Sequence, residues 1–167
     1  MVNFNGEISA IDQAPVSVHN RGLNYGDAVF ETVKYSAGKL FFWEDHYFRL
    51  MASMRIMRMS IPMSFTMEFL EEEILKLIQP NEKTKAFRIK FLVCRAEGGT
   101  YTPTTKGVNY IITKQELSNP FYLLNETPYE VELFKDHYLA SGLLSTFSSS
   151  SAGRAARHAL APCTAAA

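Results

Sequence analysis

The sequence predicts an α+β fold, an antiparallel sheet with two clustered helices, on three observations. Two strand-turn-strand signatures open the chain, two consecutive segments carry apolar residues at helical spacing, and three further strand-like runs follow. The first signature is Asn5-Gly6, a dipeptide suited to the two-residue hairpin turn, set between Val2–Phe4 and Glu7–Ile11. The second joins Ala28–Tyr35, rich in β-branched and aromatic residues, to Lys39–Trp43 across Ala37-Gly38. Glu44 and Asp45 then place acids at the start of a segment in which Tyr47, Leu50, Met51, Met54 and Met57 recur at helical spacing, so a helix is expected from about Glu44 to Met57. Ser64 or Thr66 can cap a second helix whose stripe is Phe69, Leu70, Ile74, Leu77 and Ile78, ending before Pro80-Asn81. The methionines of both segments read as packing rather than as ligands. Ala86–Cys94, Val108–Thr113 and Tyr129–Phe134 read as strands, with Gly98-Gly99 and Pro120 in the loops between them.

At 167 residues, 47% of them apolar, the chain is long enough for one domain with a real core. Seventeen basic and seventeen acidic side chains balance to zero, so no basic excess points to nucleic acid. Apolar runs such as Ile89–Cys94 fall far short of the ~20 residues of a membrane span. The first residues, Met1-Val2-Asn3-Phe4-Asn5-Gly6, lack the basic and apolar regions of a secretory signal, and the cytoplasm is the expected compartment. Cys94 and Cys163 make no disulfide framework and read as a buried thiol and an exposed one. His19, His46, His137 and His158 are too scattered for metal-ligand spacing, so no metal is expected. Gly-rich nucleotide cradles and a Gly-x-Ser-x-Gly elbow are also missing from the sequence.

The composition breaks after Phe147. Residues 148–167 hold eight alanines, as many as the 147 residues before them, along with four consecutive serines and no acid, lysine or aromatic. A shift of that kind fits a disordered tail, a cloning scar or an altered reading frame better than it fits one continuous core.

The most distinctive stretch runs from Asn20 to Thr32 and contains Arg21-Gly22-Leu23-Asn24-Tyr25-Gly26-Asp27 and then Val29-Phe30-Glu31; it is followed by His46-Tyr47-Phe48-Arg49-Leu50 and later by Phe87-Arg88-Ile89. In this order these elements resemble the amino-terminal signature of class IV aminotransferases, the fold-type IV enzymes that use pyridoxal 5′-phosphate. The group includes branched-chain and D-amino acid aminotransferases and aminodeoxychorismate lyase. The resemblance covers about residues 2 to 147 and implies the small two-layer domain of such an enzyme, which is a homodimer acting on an amino acid and a 2-oxo acid.

Read from the residues alone, Gly22 and Gly26 bracket either an ordinary turn or a place where a ligand comes close to the backbone. Arg49 stands one turn after Asp45 and three residues after His46, where a surface salt bridge is the bland role. The resemblance instead implies that Arg49 binds the cofactor phosphate, a task suited to a permanently charged planar fork. Arg88 interrupts an apolar strand, so its charge needs a partner or a cavity. Tyr25 and Phe30 read as core aromatics by themselves. By resemblance Tyr25, Phe30 and Arg88 border the substrate pocket, Tyr25 from the neighbouring subunit. Arg95–Tyr101 resembles a loop that closes over the partner's site, or else is a Gly-rich connector.

The resemblance also implies a Schiff-base lysine shortly after the domain linker, and the position that matches it here is Ser148, which cannot form an imine. The expected organisation is a small domain over 1–135, a linker and the start of a second domain over 136–147, and an aberrant tail over 148–167. The carboxy-terminal catalytic domain is expected to be absent. On this reading the chain is a truncated or frame-altered product without turnover of its own, its parent activity a transamination or an aminodeoxychorismate lyase reaction. A non-catalytic α+β domain is the alternative from outside the enzymes.

Overall fold

Asn5 and Gly6 take φ values of 51° and 96°, the left-handed backbone that a two-residue hairpin turn requires, and they join β1 (Val2–Phe4) to β2 (Glu7–Ser9). Ala37 and Gly38 repeat the arrangement with φ of 49° and 83° between β3 (Ala28–Ser36) and β4 (Lys39–Leu40). These turns belong to a computed structural model that describes residues 1–123 and Glu130. Two long strands, β5 (Ala86–Arg95) and β6 (Val108–Glu116), complete a six-stranded sheet of order β2-β1-β6-β5-β3-β4. Every neighbouring pair in it is antiparallel. Among the described residues the helices are α1 (Arg21–Tyr25), α2 (Trp43–Ile56) and α3 (Met67–Leu75), with single 3-10 turns at Ile11–Gln13 and Pro80–Glu82.

The expected α+β class is therefore borne out, with three local differences. The strand expected over Glu7–Ile11 stops at Ser9, and Ile11 opens a 3-10 turn. The strand expected over Lys39–Trp43 ends at Leu40, because Phe42 takes a left-handed φ of 54° and turns the chain directly into α2. Trp43 begins that helix, and its indole donates to the carbonyl of Met67 at 3.2 Å. Thr66 rather than Ser64 caps α3, its hydroxyl accepting from the Phe69 amide at 3.1 Å. Leu77 and Ile78 lie past the end of that helix, yet Leu77 is fully buried. Of the strand expected over Tyr129–Phe134 only Glu130 is described, and all residues from 131 onward lie outside the described part.

Alternation along the central strands decides which face is covered. Val29, Val33 and Tyr35 of β3, Phe87, Ile89, Phe91 and Val93 of β5, and Tyr110 and Ile112 of β6 are buried on one face. Leu50, Met51 and Met54 of α2 and Leu70 and Ile74 of α3 pack into the same cluster. The two methionines are core packing, as the spacing predicts. The opposite face carries Phe30, Thr32 and Lys34 opposite Leu92, Lys90 and Arg88, and these residues are half-exposed or exposed.

A polar link fastens the first strand to α3 through this core. Asn3, fully buried, donates to the Glu73 carbonyl at 3.0 Å and to its carboxylate at 2.8 Å, while Lys76 pairs with the same carboxylate. Burial alone pushes the Glu73 carboxyl up, but hydrogen bonds from Asn3, Lys76 and Tyr110 outweigh it and hold the group below its ordinary value. A depressed folded-state pKa stabilises the fold above the unfolded value of about 4.3, and that contribution is lost as pH falls through the folded pKa. The unfolding free-energy gap between wild type and Glu73→Gln, measured in urea from pH 7 downward, is expected to narrow once the pH drops below about 5.

Candidate functional site

Alternation in β3 puts Glu31 on the helix-covered face between Val29 and Val33, where an unpaired carboxylate would be costly. Its side chain is 2% exposed, and two residues of α2 on one helical face reach it. Arg49 donates Nε to Oε1 at 2.8 Å and Nη2 to Oε2 at 2.5 Å, a two-pronged pair. His46 places Nδ1 2.8 Å from Oε2 and 3.1 Å from Arg49 Nη2, so the three side chains form one cluster. The hydrogen bond to Glu31, working against burial, raises the Arg49 guanidinium further above its already high value. Half of the Arg49 side chain is exposed. Arg49 keeps a contact with His46 along the helix, at 3.1 Å, but its charge pairs from helix to sheet with Glu31. Sequence reasoning assigned Glu31 no role of its own, although a carboxylate in phase with Val29 and Val33 is the signal that marks it.

A second ionic cluster sits at the other end of the central strands. Arg21 and Arg95 both direct Nε to Oδ2 of Asp27, at 2.9 and 2.8 Å, and all three are buried. Arg21 Nη1 also donates to the carbonyls of Gly98, Gly99 and Thr100 at 3.1, 3.1 and 2.8 Å. Arg95 donates to the carbonyl of Met57 at 2.6 Å, and to that of Arg58 at 3.3 Å. The segment expected to be a turn is helix α1, capped by the side chain of Asn20 and ended by Gly26 at a φ of 68°. Gly22 does meet a close neighbour, but that neighbour is the chain itself. A Cβ there would stand 3.0 Å from Ala28 Cβ and 3.2 Å from Cys94 Sγ.

Tyr25 is exposed rather than core, its ring set edge-on to Tyr101 at 6.1 Å with the Arg21 guanidinium 4.7 Å from the centroid. It lines a depression with His19, Asn24 and Glu97–Thr100. Arg88 has its cavity: on the open face it lines a depression of about 460 Å³ with Lys34, Phe41, Phe42, His46 and Tyr122. Phe30 is half-buried on that same face, with Lys90 Nζ 5.1 Å from its ring centroid, and it lines neither depression. Within one chain the structure thus puts Phe30 and Arg88 on one sheet face and Tyr25 in a separate hollow. His46 joins the Glu31–Arg49 pair to the hollow that Arg88 lines. Among the described residues no group of three His, Cys, Asp or Glu is placed to hold a metal, and no helix is long and apolar enough to cross a membrane.

The family model described as amino-transferase class IV matches residues 28–140. The chain belongs to the class IV aminotransferases. A D-alanine aminotransferase of Bacillus licheniformis is 28% identical over 106 residues, which make up 64% of this chain and 32% of that enzyme. A branched-chain amino acid aminotransferase of T.th., solved with N-(5′-phosphopyridoxyl)-L-glutamate, superposes with a TM-score of 0.61 and 26% identity over 70% of this chain and 40% of that one. The 4-amino-4-deoxychorismate lyase of Pseudomonas aeruginosa superposes with a TM-score of 0.55 and 26% identity, over 69% of this chain and 39% of that one. The chain thus spans about a third of that curated relative and about two fifths of these structures.

Because Asp27 is the one carboxylate between two buried guanidiniums among the described residues, Asp27→Asn is expected to lower the unfolding free energy by about 3–5 kcal/mol. Urea denaturation followed by tryptophan fluorescence reads this at the single Trp43.

Proposed function

We propose that this chain forms the small domain of a pyridoxal 5′-phosphate-dependent aminotransferase, in which Arg49 holds the cofactor phosphate. The observation that carries this reading is the state of the Arg49 guanidinium. One edge is fixed on a buried carboxylate, the side chain is half-exposed, and Nη1 has no protein partner among the described residues. A permanently charged donor edge, held and open to solvent, fits a phosphate dianion. When bound, pyridoxal 5′-phosphate supplies the electron sink through which an amino acid passes its amino group to a 2-oxo acid.

The chain's other residues would act around that anchor. Phe30 offers an apolar wall on the open sheet face, and Arg88 offers a cation to a substrate carboxylate. Tyr25, which is exposed beside Tyr101, would reach across to a second subunit in a homodimer. A lyase reaction on an aminodeoxychorismate-type substrate is the second reading, supported by the superposed lyase. On either reading the chain as written does not turn over, since Ser148 stands where the resemblance places the Schiff-base lysine. The division into a small domain over 1–135, a linker over 136–147 and an unrelated tail over 148–167 is part of the same proposal.

Two measurements test this. Pyridoxamine 5′-phosphate is expected to bind the purified chain at least about ten-fold more tightly than pyridoxamine, with Arg49→Lys removing the difference; equal affinities in wild type overturn the role of Arg49. Borohydride reduction of the chain mixed with pyridoxal 5′-phosphate, followed by peptide mass analysis, is expected to give no stoichiometric adduct on any one lysine. A single fully modified lysine overturns the claim that the chain lacks its nucleophile.

A further inference from the structure

A guanidinium has five N–H donors in a rigid plane, so fixing one edge fixes the direction of the other. Glu31 takes the edge formed by Nε and Nη2 of Arg49. Nη2 also lies 3.1 Å from His46 Nδ1, so what remains is Nη1, whose two hydrogens have no protein partner among the described residues. Glu31 cannot swing round to cover Nη1. Its carboxylate is 2% exposed, stands on β3 between Val29 and Val33, and meets His46 Nδ1 at Oε2 as well, at 2.8 Å.

Two consequences of this arrangement oppose each other. A negative charge beside Arg49 offsets part of the attraction that an incoming anion feels. The same charge keeps a long, half-exposed side chain in one orientation, sparing an anion the cost of ordering it. Burial decides between them. The carboxylate lies behind the guanidinium on the protein side, and an anion arriving from solvent meets the free Nη1 donors first.

We propose that Glu31 is a positioning residue for phosphate recognition, holding Arg49 by one edge so that Nη1 presents a fixed pair of donors to the phosphate. The inference rests on the phosphate role given to Arg49 above and adds to it the residue on which that role depends. Charge alone predicts that Glu31→Gln tightens anion binding, whereas positioning predicts that it loosens it, so the two accounts differ in sign.

The test uses the full chain with pyridoxamine 5′-phosphate and pyridoxamine as probes, binding being followed by probe fluorescence. The quantity read is the ratio of the two affinities, because general damage to the fold weakens both probes and leaves the ratio alone. Glu31→Gln and Glu31→Asp are each expected to lower the ratio by about ten-fold, with pyridoxamine affinity unchanged. In wild type the Arg49 Nε–Hε signal, assigned by its loss in Arg49→Lys, is expected in the nitrogen-15 spectrum as a slowly exchanging resonance that moves when the phosphorylated probe is added. A ratio that holds or rises in the Glu31 variants, while Arg49→Lys collapses it, overturns the positioning role alone. A wild-type ratio near one, or one that Arg49→Lys leaves unchanged, overturns the phosphate role of Arg49 and this inference with it. Should Glu31→Gln fail to fold, Glu31→Asp and the wild-type signal decide, and a rapidly exchanging Arg49 Nε–Hε counts against the proposal.

Discussion

One oxygen atom, Oδ2 of Asp27, receives two buried guanidiniums, and five separate pieces of backbone hang from that junction. Arg21 brings α1 and the carbonyls of residues 98 to 100, Arg95 brings the end of β5 and the carbonyls that follow α2, and Asp27 itself leads into β3. Two positive charges against one negative would be unfavourable in a dry interior by themselves. The carbonyl oxygens make the arrangement tolerable by accepting from Nη1 of Arg21 and from both Nη groups of Arg95, so the same contacts serve charge, hydrogen bonding and chain path. The hollow beside Tyr25 follows from this, since both of its walls, α1 and the loop after β5, are held by Arg21.

The second ionic cluster uses the same strand differently. Asp27 stands just before β3 and Glu31 within it, and each draws in arginine from an element distant in sequence. At Asp27 both guanidiniums are enclosed. At Glu31 the carboxylate is enclosed while its arginine remains half in solvent. The difference matters chemically: an enclosed arginine has its donors used up by the fold, whereas a half-exposed one tied at a single edge keeps donors for a ligand. Arg95, by contrast, lies in a loop-adjacent position that the family resemblance associates with the partner's site, and the fold has already used it.

The elements written in local chemistry are the ones legible in the sequence. Asn5-Gly6 and Gly38 declare their turns because positive φ suits few residues, and the stripe of Leu50, Met51 and Met54 declares its helix because burial on one face demands that spacing. The early end of β4 is hidden, since Phe41, Phe42 and Trp43 have strand-like composition and only the left-handed backbone at Phe42 cuts the strand off. Helix α1 is hidden for a related reason: its five residues include a glycine that helical propensity disfavours and that close packing on Ala28 and Cys94 requires. At the site, the family signature locates Arg49, but its partner can be read only once β3 and α2 are placed in space. Glu31 and Arg49 are 18 residues apart and meet only through the packing of helix on sheet.

The pairing of β1 with β6 has a bearing on how the chain is made. Val2, Asn3 and Phe4 find their partners at Thr113, Ile112 and Ile111, so a strand made early is zipped to one made about a hundred residues later, and it is this pairing that places the opening hairpin in the sheet. A ribosome adding about 5–20 residues per second leaves that hairpin without its neighbour for roughly 5 to 20 seconds, longer once the exit tunnel is counted. A lone two-stranded hairpin is marginal in water, so during that interval the edges of β1 and the apolar side chain of Val2 are open to other chains. The sheet closes late, and its nascent form is the one most in need of a chaperone.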